Sequence, residues 1–304
     1  MNSLFVIFIQ YSIKILSRLP LSVLYILSDF LYFILFYVVK YRRSVTAGNL
    51  SKSFPDKSAV ELLEIEKKYY HFMTDLMIEV IKGFTISKKE LQRRFKIKNP
   101  ELLQQYLDSG KSVLIYASHY GNWEWSVQIV PAILLDVGSY SLWSVYKPQS
   151  NKYFENLINR VRARFGGNMV AMKAVPKKLL QLQKVPYAMV FASDQTPVAG
   201  ETQYFTTFMN QETAVFMGVE KLAQKFNNPV LYWHVNCIKR GYYEGEFIHL
   251  FENPREITTY QITNAYNQLL EKCIRQQPAY WMWSHKRWKF KKENIPRMNN
   301  NEQQ

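Results

Sequence analysis

Between residues 113 and 276 short apolar runs alternate with amphipathic stretches. The apolar runs are VLIYAS (113–118), YSLWSVY (140–146), YAMVFAS (187–193) and PVLYWHVNC (229–237). Helical spacing marks the stretches near 122–135, 151–165, 174–184, 215–227 and 259–276. Buried strands separated by helices can pair side by side only if each helix crosses back over the sheet, so the alternation predicts an α/β body with a largely parallel sheet. No stretch rich in Pro, Gly or Ser divides this body, and no internal repeat is visible.

Upstream, DKSAVELLEIEKKYYHFMTDLMIEVIKGF (56–84) repeats its apolar residues at helical spacing, with Asp56 as the expected cap and Gly83 at the end. A short helix is expected after Pro100, ending at Gly110. Ahead of both lies Leu19–Val39, LPLSVLYILSDFLYFILFYVV, whose sole carboxylate is Asp29. Its length is close to the ~20 residues that a helix needs to cross a bilayer core. A shorter run, LFVIFI, occupies residues 4–9; Lys14 and Arg18 separate the two, and Lys40, Arg42 and Arg43 follow the second. The denser downstream cluster favours a body on the cytoplasmic side. No basic region precedes the first run and no small-residue cleavage site follows the second, so a signal peptide fits poorly. Two attachments stay open, a true span and a helix lying in the membrane plane, because Pro20, Ser28 and Asp29 weaken the span.

The 304 residues carry 39 Lys+Arg against 24 Asp+Glu, a formal charge of +15, so an anionic partner is expected: nucleic acid, acidic lipid, an acidic carrier or a phosphorylated substrate. Cys237 and Cys273 are too few for a disulfide scaffold or a four-thiolate zinc site. A mean hydropathy of −0.23 argues against a many-helix membrane protein.

The chemistry concentrates in VLIYASHYGNWEW. A buried strand runs into His119, Gly121 permits a sharp turn, Asn122 is suited to cap a helix, and Glu124 falls in that helix's first turn. His119 is thereby placed outside the carboxyl end of a strand, where open α/β sheets bind ligands. A carboxylate against one imidazole nitrogen leaves the other as a general base, and the expected partner is Glu124. No G-x-S-x-G elbow is present, so direct attack by an acceptor hydroxyl or amine on a thioester carbonyl is expected, without a covalent acyl-enzyme. Backbone amides after His119 are the expected oxyanion donors.

The H-Y-G-N-W-E segment, together with NLSKSFP (49–55), YKPQSN (146–151), NRVRARFG (159–166), SDQTP (193–197) and YWMWSHKRWK (280–289), resembles the lipid A late acyltransferases (lauroyl/myristoyl transferases), within the glycerolipid and lysophospholipid acyltransferase superfamily. The resemblance implies a glycerolipid acyltransferase-like α/β fold with N-terminal membrane-binding helices. The apolar N-terminal runs and the polar C-terminal residues divide the chain into an anchoring segment 1–40, an acyltransferase domain 41–293 and a tail 294–304 expected to be disordered. The resemblance also implies His119 as general base and Glu124 as its orienting carboxylate, with Arg164, Asp194, Gln195 and Asn122 binding substrate and no metal or other cofactor. Acyl carrier protein is the implied donor, or acyl-CoA in its place, and an anionic lipid A precursor the acceptor. The implied location is the inner membrane, with the catalytic domain facing the cytoplasm. Arg164 also reads as an exposed helix charge and Asp194 as a turn residue. Asp194 and His119 fall on the same sheet edge.

Trp281, Trp283 and Trp288 interleave with basic residues in YWMWSHKRWKFKK, a pattern suited to lipid headgroups or to nucleic-acid bases. With an apolar anchor at the other end of the chain, headgroups are expected and nucleic acid is not. Lys52, Lys57, Lys177 and Lys178 could attract an acidic carrier or saccharolipid, or be solvated helix charges. His71 with Asp75 is expected to be a local contact without a third ligand, and His234 and Cys237 to lie on opposite strand faces. The competing enzyme reading is acylation of a lysophospholipid, an aminolipid or an aryl polyene. The competing non-enzyme reading is a membrane-anchored nucleic-acid-binding protein.

Overall fold

The computed structural model describes residues 11–182, 184–198, 202 and 204–294. The LFVIFI run and the tail beyond Asn294 lie outside them. A mixed α/β architecture is built on a seven-stranded sheet ordered β1-β9-β8-β2-β5-β3-β4. Its strands are β1 (Phe95–Ile97), β2 (Val113–Ala117), β3 (Ser141–Tyr146), β4 (Asn168–Ala171), β5 (Tyr187–Ala192), β8 (Val230–Lys239) and β9 (Tyr242–Phe251). β2, β3, β4, β5 and β8 run parallel, while β9 is antiparallel to β8 and carries β1 beside it. A separate hairpin joins β6 (Tyr204–Phe208) to β7 (Gln211–Val215).

Besides the helical residues 11–16, ten α-helices lie wholly within the described residues: α1 (Leu21–Phe33), α2 (Arg43–Ser53), α3 (Ala59–Lys82), α4 (Lys88–Arg94), α5 (Pro100–Asp108), α6 (Trp123–Leu134), α7 (Lys152–Arg162), α8 (Val175–Gln181), α9 (Gly218–Phe226) and α10 (Gln261–Gln276). α1 runs directly into a π-helical turn, Ile34–Val38. The four apolar runs became β2, β3, β5 and β8, and helices occupy the five amphipathic stretches. α3 starts later than expected: its cap is Ser58 in a reciprocal capping box with Glu61, not Asp56, whereas Gly83 does end it.

The sheet is covered on both faces. α6 contributes Trp125, Ile129 and Leu134 to the core on one side, and α8, α9 and α10 contribute Leu179, Val219 and Tyr266 to the core on the other. The central neighbours β2 and β5 thus send their outgoing chains to opposite faces: β2 into α6, β5 through the hairpin towards α9. Such a divergence opens a crevice at the carboxyl ends of the two strands.

Beneath that crevice the wholly buried Glu79 of α3 ties the layers together. It accepts from Tyr25 of α1 (2.7 Å), Asn122 (2.6 Å) and Tyr243 of β9 (2.6 Å). Burial pushes its carboxyl up to about 7 from 4.5, against the lowering effect of those donors. A raised carboxyl pKa means that the folded state binds the proton more tightly, so the contribution of Glu79 to stability is fully present below pH 4.5 and is lost as pH rises to about 7. The shift corresponds to roughly 3 kcal/mol across that window. Denaturant melts of Glu79→Gln at a series of pH values should show this slope flattened relative to the parent.

Candidate active site

β2 and β5 pair in register with Ala117 opposite Ala192, so His119 and Asp194 stand at equivalent positions just beyond the strand ends. They meet there. Asp194 Oδ1 lies 2.7 Å from His119 Nδ1, and Oδ2 accepts from the His119 backbone N–H at 2.9 Å and from Trp281 Nε1–H at 2.8 Å. With three donors converging on it, the buried Asp194 is held below the usual carboxylate range although burial opposes this. Burial also disfavours the His119 cation, but the charge and hydrogen bond of Asp194, with Glu124 further off, outweigh it. His119 therefore keeps its proton to a higher pH than an ordinary histidine. The Asp194 contact assigns the neutral-state proton to Nδ1 and leaves Nε2 as the basic nitrogen, 3.2 Å from Gln195 Nε2.

The turn that carries His119 is set by its own residues. Gly121 has φ +62°, and a Cβ there would lie 2.6 Å from Val235, which restricts the position to glycine. Asn122 caps α6 by accepting from Trp125 N–H at 2.7 Å. It is buried, and its Nδ2 is given to Glu79, so the side chain expected to bind substrate is committed to the scaffold. The Gly121 N–H donates to Tyr280 O and the Trp123 N–H to Gly121 O, which removes both from the expected oxyanion donors.

His119 opens onto a cavity of about 340 Å³ between α6 and the sheet, within the usual size range of small-molecule sites. Trp123, Val127, Val130 and Pro131 of α6 face Leu142 and Val190 of the sheet across it, so its wall is mainly apolar. Gln195, Arg162, Ser118 and Lys147 also border it.

Two expected assignments are corrected by this geometry. The carboxylate on the imidazole is Asp194, not Glu124: the Glu124 oxygens take Arg162 Nε at 2.9 Å and Nη2 at 2.6 Å in a bidentate pair. The arginine on the cavity is Arg162, not Arg164, whose guanidinium instead donates to Gly83 O and, at 3.1 Å, to Ile86 O in the turn after α3. Both arginines stand in one R-x-R segment, and the helical end at Arg162 turns the later one away.

The sequence pattern of the bacterial lipid A biosynthesis acyltransferase family matches residues 3–290. The chain belongs to that family. Among its relatives, the lipid A biosynthesis acyltransferase of Haemophilus influenzae is 23% identical over 80% of this chain and 74% of that protein. The palmitoleoyltransferase of Escherichia coli K12 is 21% identical over 83% and 80%, and the lauroyltransferase of the same strain 22% over 92% and 89%.

For this acyltransferase the C-terminal aromatic segment also needs correction. Trp281, Trp283 and Arg287 are buried, and Trp288 donates to Thr213 Oγ1 at 2.7 Å. Trp281 locks Asp194, Trp283 donates to Pro278 O at 2.6 Å, and Arg287 donates to Ala214 O at 2.6 Å. The segment is a clamp on the carboxylate that holds His119, not a headgroup belt. His71 and Asp75 do gain a third neighbour, the carboxylate of Asp29, but Arg240 pairs with both aspartates. A Cys273–His234–Asn236 series, with Sγ 3.3 Å from Nδ1 and Nε2 3.1 Å from Asn236 Oδ1, lies off the cavity. Burial pushes its thiol up and its imidazole down, so it is a neutral structural pair.

Since Arg164 closes carbonyls rather than facing the cavity, Arg164→Ala in this acyltransferase should lower stability by about 1–3 kcal/mol. Activity per folded molecule should change by less than about twofold if only such a distant contact is lost. A thermal melt and a turnover assay on the soluble-folded fraction check the two parts.

Proposed function

We propose that this chain transfers a fatty acyl group from the thioester of an acyl carrier protein to a hydroxyl of a lipid A precursor, at the cytoplasmic side of the inner membrane. The observation that carries the reading is His119 itself, held by Asp194 on Nδ1 and presenting Nε2 beside an apolar cavity. The relatives' names, palmitoleoyl- and lauroyltransferase among them, support the acyl chemistry. In the proposed reaction the acceptor hydroxyl replaces the Gln195 amide next to Nε2. Nε2 takes the hydroxyl proton as the oxygen attacks the thioester carbon, the C–S bond breaks, and the departing thiolate receives that proton. The displaced Gln195 amide is then a donor available to the oxyanion. The acyl chain occupies the apolar cavity. Glu124 holds the Arg162 guanidinium flat at the rim, where its Nη1 hydrogens suit a phosphate of the acceptor.

Purified protein incubated with acyl carrier protein thioesters and an under-acylated lipid A precursor should yield, by mass spectrometry, the precursor heavier by one acyl group. Acylation confined to a lysophospholipid or aminolipid acceptor would overturn the acceptor assignment.

A further inference from the structure

Between Leu21 and Val38 lies the one helix among the described residues long and apolar enough to cross a membrane. Its packing is that of a helix fixed along the body. α1 and α3 run antiparallel with stepped contacts: Tyr25 OH donates to Glu79 at 2.7 Å, Ser28 Oγ donates to Asp75 at 2.7 Å, and the Tyr32 and His71 rings lie 5.0 Å apart. The Phe36 and Tyr70 rings follow at 5.4 Å. Asp29, at the flank, is paired with Arg240 from the β8–β9 turn at 2.6 Å. A span would carry this polar seam into hydrocarbon or require it to break. The outward face is the opposite in kind. Val23, Ile26, Phe30 and Phe33 are exposed on one side of α1, and Tyr37 and Val38 continue them. Exposed Lys14 and Arg18 stand before the face and Lys40 and Arg42 after it.

We propose that this helix lies in the plane of an anionic lipid surface, its Val23–Ile26–Phe30–Phe33 face in the acyl boundary and its basic ends on lipid phosphates. An apolar stripe ended by cations at both sides fits that occupant. The proposal deepens the membrane location given above and rests on it, while being independent of the chemistry at His119.

The test uses the full chain and vesicles of phosphatidylethanolamine and phosphatidylglycerol. In flotation, Ile26→Glu/Phe30→Glu should bind roughly tenfold less or weaker still, with Phe30→Gln intermediate and all variants melting like the parent, since these side chains face outward. Leu19→Cys and Val39→Cys should both react with a membrane-impermeant maleimide added outside vesicles already carrying the protein, with labelled sites located by peptide mass spectrometry. One end reacting only after detergent means a span and overturns the proposal. Undiminished flotation of the double Glu variant overturns it too, as does a lipid-independent dimer that this variant abolishes, which would make a second copy the occupant. His119→Ala should float like the parent, which separates failure of the seating from failure of the catalytic reading.

Discussion

His119→Ala is expected to lower acyl transfer by about 10²–10⁴-fold, the usual contribution of a positioned general base, and to leave the fold in place. Structural tolerance follows from Asp194: with the imidazole gone, its carboxylate still accepts from the residue 119 backbone N–H and from Trp281 Nε1–H, so it is not left unpaired. The loss should appear in turnover at saturating thioester, because the apolar residues that line the cavity all stay in place. Wild-type turnover in a variant whose thermal melt is unchanged would remove His119 from the mechanism.

Asp194→Asn should be comparably severe, about 10³–10⁴-fold by analogy with other carboxylate-held catalytic imidazoles, for a different reason. The amide oxygen can still accept from Trp281 and the backbone, which turns the amide NH₂ towards His119 Nδ1. Nδ1 must then be the unprotonated nitrogen, and the proton moves to Nε2, the atom required as base. The pH dependence carries a second signature. A general base works when deprotonated, so the raised His119 pKa places the acid limb of the parent's rate profile above that of an ordinary histidine. Without the Asp194 charge the pKa falls, and residual activity should show its acid limb displaced to lower pH. Glu124→Gln provides the contrast: its hydrogen bonds go to Arg162, so it should move the limb less and act mainly on acceptor binding. A limb that shifts more with Glu124→Gln than with Asp194→Asn would reverse the assignment of the two carboxylates.

Much of this site could be read from the chain before folding. The strand–His119–Gly121–Asn122 segment defines its own turn, because glycine conformation, capping and strand burial are local properties. The S-D-Q-T-P segment likewise placed Asp194 at a strand end. What local pattern could not supply was which strand β5 pairs with. Its register against β2, Ala192 opposite Ala117, brings Asp194 rather than Glu124 to the imidazole. Glu124 is nearer in sequence, yet its place in the first turn of α6 directs it to Arg162 on the end of α7. The strand β9 escaped notice for a related reason: YYEGEFIHLF alternates polar and apolar residues around the tight Arg240–Gly241 turn and lacks the solid apolar run of β8.

The C-terminal tryptophans show the limit most plainly. Trp among lysines has the composition of an interfacial belt, but a tryptophan buries a large ring and donates one hydrogen bond, and both needs are met here inside the protein, at Asp194, Pro278 and Thr213.

The sequence by itself determined the α/β class, the place of His119 at a strand end, the cap and glycine of its turn, and the family, because these rest on periodicity and on contiguous residues. Only the tertiary structure decided the partner carboxylate, the cavity arginine, the buried role of the C-terminal segment and the seam that fixes α1 to α3. Each of these depends on side chains far apart in the chain meeting across strand pairing or helix packing, and composition carries no record of that meeting.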